Sequence, residues 1–469
     1  MFSETIGIEV HVELKSKTKV FSDSVNNFKD DINTNVNIID LAYPGTLPKL
    51  NKEVILEALK ACLTFNCNIN KVMHFDRKNY FYPDLPKGYQ ITQKDTPIGY
   101  DGYIEIENDG VTKRIGIERI HIEEDTCKSI HKDDKTLLNA NRAGVPLIEI
   151  VSKPDIKSAK EAMLYLEKLR ETLLYLGVSD VKIEEGSMRC DANVSISDTD
   201  KLGTKTEIKN IGSISNVGLA INYEIERQKN ILLRGEKVVE ETRRFDDKTS
   251  TTISMRVKET GNDYRYLPEP DIPYVILSDE EIEEVRKQIP ILPSELRKKY
   301  KELGINNNAI NTLIQDKELN DYFMAIMDNN AVIIANILTT DILGYLNKNF
   351  VKLSDMKLTK NELVKLSNKI SEGIISSKQA KEILNYILDN GGNIDDVCEK
   401  LNIKLISDNN LLIEVIKNVL SNNLESVKDY KEGKDRAIKY LMGQIMKETK
   451  GQANPSIVSK LLLDELNNY

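Results

Sequence analysis

The chain has no tryptophan, little proline and few cysteines, and each scarcity removes a class of protein. Thirteen Pro and no Trp beside 40% hydrophobic and 30% charged residues describe an ordinary globular composition and exclude a disordered or fibrous chain. The five cysteines, Cys62, Cys67, Cys127, Cys190 and Cys398, are odd in number, scattered and never in C-x-x-C spacing. That excludes a paired-cysteine zinc site or redox motif and leaves reduced, mostly structural thiols. No apolar run approaches membrane-spanning length. Strand-like sequence begins almost at Met1, leaving no room for a signal or transit peptide, so a cytoplasmic location is the expectation. The loops G-x-x-x-x-G-K-[ST] and G-x-G-x-x-G are also missing, so any nucleotide is held without a P-loop or dinucleotide fold. A formal charge of −9 argues against bulk electrostatic grip on nucleic acid and leaves that role to a local basic patch.

At 469 residues the chain exceeds what one core supports, so two or three domains are expected. Up to about Val257, strand-like segments alternate with turns and a few helices, an α+β pattern. From about Asp279 nearly every segment has helical period. The acidic run Asp279 to Glu284, followed by Pro290 and Pro293, marks one boundary and reads mostly as a solvated helix face. Asp408, Asn409 and Asn410 interrupt the apolar pattern at a second boundary, between about Leu401 and Asn410. The predicted division is a catalytic domain over 1–292, a helical domain over 293–407 and a small all-helical tail over 408–469. Within it, one helix begins at Asn51 and buries Val54, Ile55, Ala58, Leu59, Cys62 and Leu63. Another runs from Ser158 to Leu176, with Ser158 and Glu161 as a capping box and Gly177 as its stop. The tail contains a helix over Leu411 to Leu420 and a last helix capped by Asn454, opened by Pro455 and buried through Val458, Leu461 and Leu462.

Chemistry concentrates in a few segments. Ile6 to Leu14 alternates strictly, which puts Glu9, His11 and Glu13 on one strand face and Ile8, Val10, Val12 and Leu14 on the other. Two carboxylates flanking an imidazole suit a hard divalent cation, although a solvated edge strand would show the same pattern. His121-Ile122-Glu123-Glu124-Asp125 ends a strand over Thr112 to Ile122. Alternation sends Glu124 away from His121 and Glu123, and only a bulge or the strand end decides which carboxylate faces the site. Glu149 sits inside the apolar run Val145 to Val151 and needs a cation or a positive side chain there. In the strand over Met188 to Ile196, Arg189, Asp191, Asn193 and Ser195 share a face, and Lys205, Glu207 and Lys209 repeat the arrangement; ligand contacts and cross-strand salt bridges explain both equally well. Arg243, Arg244, Arg256 and Arg265 add guanidinium groups suited to phosphate. Finally, in Phe75 to Asp84 the basic Arg77 and Lys78 precede three aromatics, Tyr80, Phe81 and Tyr82, as in a base-stacking segment or an aromatic strand packed on the core.

With these segments in hand, the chain resembles the GatB family, the B subunits of aspartyl/glutamyl-tRNA amidotransferases. The words carrying the likeness run along nearly the whole length: IGIEVHVEL at Ile6, DLAYPGTLP at Asp40, FDRKNYFYPD at Phe75, HIEEDTCKS at His121, PLIEIVSKPDI at Pro146, EEGSMRCDANVS at Glu184, ETRRFDD at Glu241, DYRYLPEPDIP at Asp263 and GQANPS at Gly451. The resemblance implies a catalytic cradle with a glutamine-synthetase-like sheet, a helical domain and a YqeY-like helical tail. It also implies a ligase that uses ATP and Mg2+ to phosphorylate the side-chain carboxylate of Glu or Asp misacylated on tRNA(Gln) or tRNA(Asn), then amidates it with ammonia. The partners so implied are the glutaminase of the same amidotransferase (its GatA component), the small GatC component and the misacylated tRNA, with no membrane.

The metal and catalytic residues carried over are Glu9, His11, Glu124 and Glu149. Arg189, Asp191, Asn193, Lys205, Glu207 and Lys209 carry over to the ATP pocket, and Arg77, Lys78 and Tyr80 to the acceptor end. Seven basic residues against four acidic ones between Lys428 and Lys450 suit contact with the tRNA body. Two departures stand out: Asn139 replaces the usual Asp, and the paired cysteines of zinc-holding members are missing. The rivals from other classes are a noncatalytic tRNA-binding protein and a free-standing ligase for a small acid. The intact Glu9, His11, Glu124 and Glu149 speak against the first, and the tail against the second.

Overall fold

A computed structural model of the chain describes residues 2–199, 201–257, 264–327, 330–401, 403, 409–431, 434, 436–449, 453 and 455–468. It divides into two compact units, Met1–Pro293 and Ser294–Tyr469.

A nine-stranded mixed sheet organises the first unit. In spatial order its strands are Thr251–Val257, Glu241–Asp246, Thr206–Lys209, Met188–Ser197, Ser3–Glu13, Pro146–Ser152, Val111–Glu124, Gly99–Asn108 and Asn68–Ile69. Every neighbouring pair is antiparallel except Thr206–Lys209 beside Glu241–Asp246. Ser3–Glu13 takes the central place with the alternation its sequence predicts: Ile6, Ile8, Val10 and Val12 are wholly buried. They pack in one core with residues of the helices Lys52–Thr64, Ala159–Leu176 and Ile214–Leu233. Burying each such side chain contributes about 1.5–3 kcal/mol, so the apolar face fixes the register and thereby the order of polar residues on the other face.

The helix ends follow their sequence signals, with one difference. Asn51 accepts from Glu53 N, Ser158 accepts from Glu161 N, and Gly177 closes its helix at φ 75°, a conformation that costs glycine least. The expected return arm of the capping box is displaced: Glu161 Oε2 accepts from Lys157 N at 2.8 Å rather than from Ser158, and pairs with Lys113 Nζ at 2.7 Å. Gly102 lets the end of the first helix approach the sheet, because a Cβ there would lie 2.4 Å from Cys67 Sγ and 2.6 Å from Phe65 O. The acidic run forms the helix Asp279–Lys287, closed by a Ser278–Glu281 capping box, and it buries Ile282 and Val285 in the main core. Asp279, Glu280 and Glu281 lie in the first turn, where the helix dipole favours them.

The second unit contains no strand among its described residues. The expected tail helices are present as Asn409–Asn422 and Pro455–Asn468. With Arg436–Glu448 they share a core that includes Leu412, Ile416, Leu441, Ile445, Val458 and Leu462, with Leu461 packed against it. The expected cap Asn454, and most of the boundary between Leu401 and Asn410, lie outside the described residues.

Candidate active site

Register builds the site. Arg189 pairs with His11, His11 with Glu149 and Glu149 with His121, so one row of polar residues crosses four adjacent strands. Glu123, two residues beyond His121, joins the same face. His11 Nε2 lies 3.3 Å from Glu123 Oε1 and 3.6 Å from Glu149 Oε2; His121 Nε2 lies 3.0 Å from Glu149 Oε2 and 3.8 Å from Glu123 Oε2. His121 is 6% exposed and Glu123 2%. Two carboxylates buried together demand positive charge. Burial opposes an imidazolium at His121, yet Glu149 and Glu123 carry its pKa up to about 9. Burial likewise opposes ionisation of Glu149, yet His121, His11 and Lys78 hold it well below the carboxylate range.

Lys78 supplies the remaining charge from the small sheet in which Asp76–Asn79 lies between Tyr89–Thr92 and Leu267–Pro268. Burial works against its ammonium, and Glu123, Tyr266 and Glu149 more than restore it. Its Nζ lies 5.1 Å from the ring centre of Tyr264 and 6.0 Å from that of Tyr80.

A second group lies one pleat along the same face. Carboxylate oxygens of Glu9, Asp191 and Glu207 fall within 4.8 Å of one another. Lys209 Nζ bridges Asp191 Oδ2 at 2.7 Å and Glu207 Oε1 at 3.0 Å. Thr242 Oγ1 donates to Glu207 Oε2 at 3.0 Å, and Asn193 Nδ2 to Glu9 Oε1 at 2.9 Å. The buried Asn193 Oδ1 makes no hydrogen bond among the described residues. The first group offers imidazole nitrogen and carboxylate oxygen from His11, Glu123 and Glu149, also within 4.8 Å. That donor set suits Mg2+ or Mn2+, and the all-oxygen second group suits Mg2+.

Several of the expected residues lie apart from these two groups. Glu124 does not join His11 and Glu149, because the strand keeps its alternation to the last residue; the register shift in its pairing lies far from Glu124, at Val151/Ser152. Glu124 instead bonds Lys87 Nζ and accepts from Ile91 N at 2.9 Å. Glu9 belongs with Asp191, its register partner. Arg77 alternates away from Lys78, grips Glu269 through Nε at 2.7 Å and Nη2 at 2.8 Å, and stacks on Tyr89. A register shift between Thr242 and Arg243 leaves Arg243 bonded to Glu241 and Thr252 near the buried Glu224. Arg189 is held by Asp125, which also receives Arg142, and Arg142 Nη2 reaches Glu13 Oε1 at 3.2 Å. Lys205 lies just before its strand and is exposed, as are Arg244 and Arg265; the side chain of Arg256 is outside the described residues. Asn139 caps a short 3-10 turn by accepting from Asn141 N. Between Glu123 and Glu124, left open by the sequence, the structure brings Glu123 to His11 and Glu149, and nothing in the sequence pattern pointed to Thr242.

The likeness to known proteins covers both units. The GatB/GatE catalytic domain family matches residues 4–283 and the GatB domain family residues 321–466. The B subunit of the aspartyl/glutamyl-tRNA(Asn/Gln) amidotransferase of Geobacillus thermodenitrificans is 49% identical over 472 residues, spanning 99% of each chain. Those of Enterococcus faecalis and Staphylococcus aureus are 48% and 49% identical, again over 99% of each chain. The chain therefore belongs to the GatB family.

Proposed function

We propose that the polar face of the sheet is the ATP-dependent amidation centre of a tRNA-dependent amidotransferase. The carboxylate of a Glu or Asp side chain is a poor acyl donor, and phosphorylation gives it a leaving group that ammonia displaces. The single observation that carries this reading is the pairing of two cation-demanding groups on one face, His11 with Glu123 and Glu149, and Glu9 with Asp191 and Glu207.

His11, Glu123 and Glu149 would hold one Mg2+, with His121 orienting Glu149; Glu9, Asp191 and Glu207, with Asn193, would face the nucleotide. Bound there, Mg2+ neutralises charge on phosphate and carboxylate. Arg189, Lys205 and Lys209 offer positive charge to the ATP phosphates. Lys78 and Tyr80 hold the acceptor end, while Arg77 braces the strand that carries Lys78. The substrate is misacylated tRNA(Gln) or tRNA(Asn), and the basic helices of the tail contact the tRNA body. Ammonia comes from the glutaminase component, GatA, in a heterotrimer completed by the small GatC component. The names of the relatives support the tRNA and the multi-subunit organisation. The first unit serves as a glutamine-synthetase-like cradle over 1–292, followed by a helical domain over 293–407 and a YqeY-like tail over 408–469, in a cytoplasmic enzyme.

The test is ADP release by the purified chain given ATP and ammonia, with misacylated or uncharged tRNA. Release that depends on the misacylated form supports the proposal; release indifferent to the esterified amino acid contradicts it.

A further inference from the structure

Four tyrosines from two distant segments form a continuous row beside Lys78. Tyr82 meets Tyr80 at 6.0 Å between ring centres, Tyr80 meets Tyr264 at 6.3 Å, and Tyr264 meets Tyr266 at 6.1 Å, all edge to face. The two segments are tied by backbone: Asn79 N donates to Tyr264 O at 3.0 Å and Asn79 Nδ2 to Arg265 O at 2.6 Å. Two ammonium groups lie along the row, Lys78 beside Tyr264 and Tyr80, and Lys94 4.7 Å from the ring centre of Tyr266. Tyr82 is 57% exposed at one end, while Tyr80, Tyr264 and Tyr266 are half-buried. A core cluster would hide such rings and would not intersperse them with ammonium groups.

Rings with cations beside them are what single-stranded RNA uses, since every base has a π-face and every linkage a phosphate. We propose that Tyr82, Tyr80, Tyr264 and Tyr266 form a stacking track for the unpaired 3′ nucleotides of tRNA, with Lys78 and Lys94 on the phosphates. The inference rests on the amidation reading above and adds to it how the esterified amino acid is brought to Glu149 and Glu123. Tyr264 and Tyr266 carry the test, because they belong to a second segment that packs on the first through Asn79.

The experiment measures binding of uncharged tRNA, either intact or lacking its 3′ CCA nucleotides, to the full-length chain and to Tyr264→Ala, Tyr266→Ala and Tyr264→Phe. The wild type prefers intact tRNA. Each alanine variant loses roughly tenfold in affinity for intact tRNA alone, and Tyr264→Phe keeps the wild-type preference. Equal loss on both tRNAs, or no loss, overturns the track. So does a raised KM for ATP with the preference for intact tRNA unchanged, which would give the rings to the adenine of the nucleotide. A wild type that releases ADP in response to misacylated tRNA yet binds both tRNAs equally overturns the track and leaves the amidation reading standing.

Discussion

Glu123 and Glu124 are neighbours in the chain yet serve opposite faces of one sheet. Glu123 Oε1 lies 3.3 Å from His11 Nε2, while Glu124 accepts from Ile91 N at 2.9 Å and pairs with Lys87. The relationship follows from strand geometry, in which successive side chains alternate.

That division predicts opposite phenotypes. Glu123→Gln weakens Mn2+ binding to the full-length chain at least tenfold, of the order seen when metal-site groups are removed, and changes stability little. Glu124→Gln leaves Lys87 without its partner and costs about 3 kcal/mol, with Mn2+ affinity unchanged. Calorimetric titration and urea unfolding read the two effects separately; Mn2+ affinity lost in Glu124→Gln would reverse the assignment.

His121 makes stability depend on pH. Its folded pKa is about 9 against 6.5 for an ordinary imidazole, so between those values the folded chain keeps a proton that the unfolded chain has released. The contribution, at most about 3 kcal/mol, is full below pH 6.5 and is lost as the pH rises through 9. Melting curves of metal-free protein across that window should decline, and His121→Gln should flatten the decline. An unaltered slope would remove the imidazolium.

Arg243 belongs to the interior rather than to phosphate. Glu224 is wholly buried and receives Arg227 at 2.6 Å and 2.8 Å, with Arg243 Nε 3.7 Å away. Glu224→Ala takes from Arg227 its two closest carboxylate bonds, while Arg243 keeps Glu241 and Thr252, and should cost about 3 kcal/mol, read as a lower urea midpoint, with Mn2+ affinity intact. Arg243→Lys that raised the KM for ATP at unchanged stability would contradict this placement.

What the sequence made legible was whatever depends on one period. Strict alternation located the faces of Ser3–Glu13 and Met188–Ser197, and the caps at Asn51, Ser158 and Gly177 stand where local chemistry put them. Relations between segments were not legible. That His11, Glu149 and His121 fall on one line is a matter of pairing register across three strands, which no single segment encodes. Arg243 was misread because a shift beside Thr242 interrupts its strand's pairing, and Arg77 because its partners Glu269 and Asp271 lie almost two hundred residues away. At Glu124 plain alternation was the better guide, and the ligand assignment implied by the family resemblance departed from it.

Amidation of the esterified amino acid is the decisive reaction for Glu149. Purified full-length chain, given ammonia, ATP and misacylated tRNA, should convert the esterified Glu or Asp to its amide. Glu149→Ala, checked for an unchanged fold, should lose that conversion by a hundredfold or more, on the order of removing a group that supports transition-state charge. Full activity in Glu149→Ala would contradict the account.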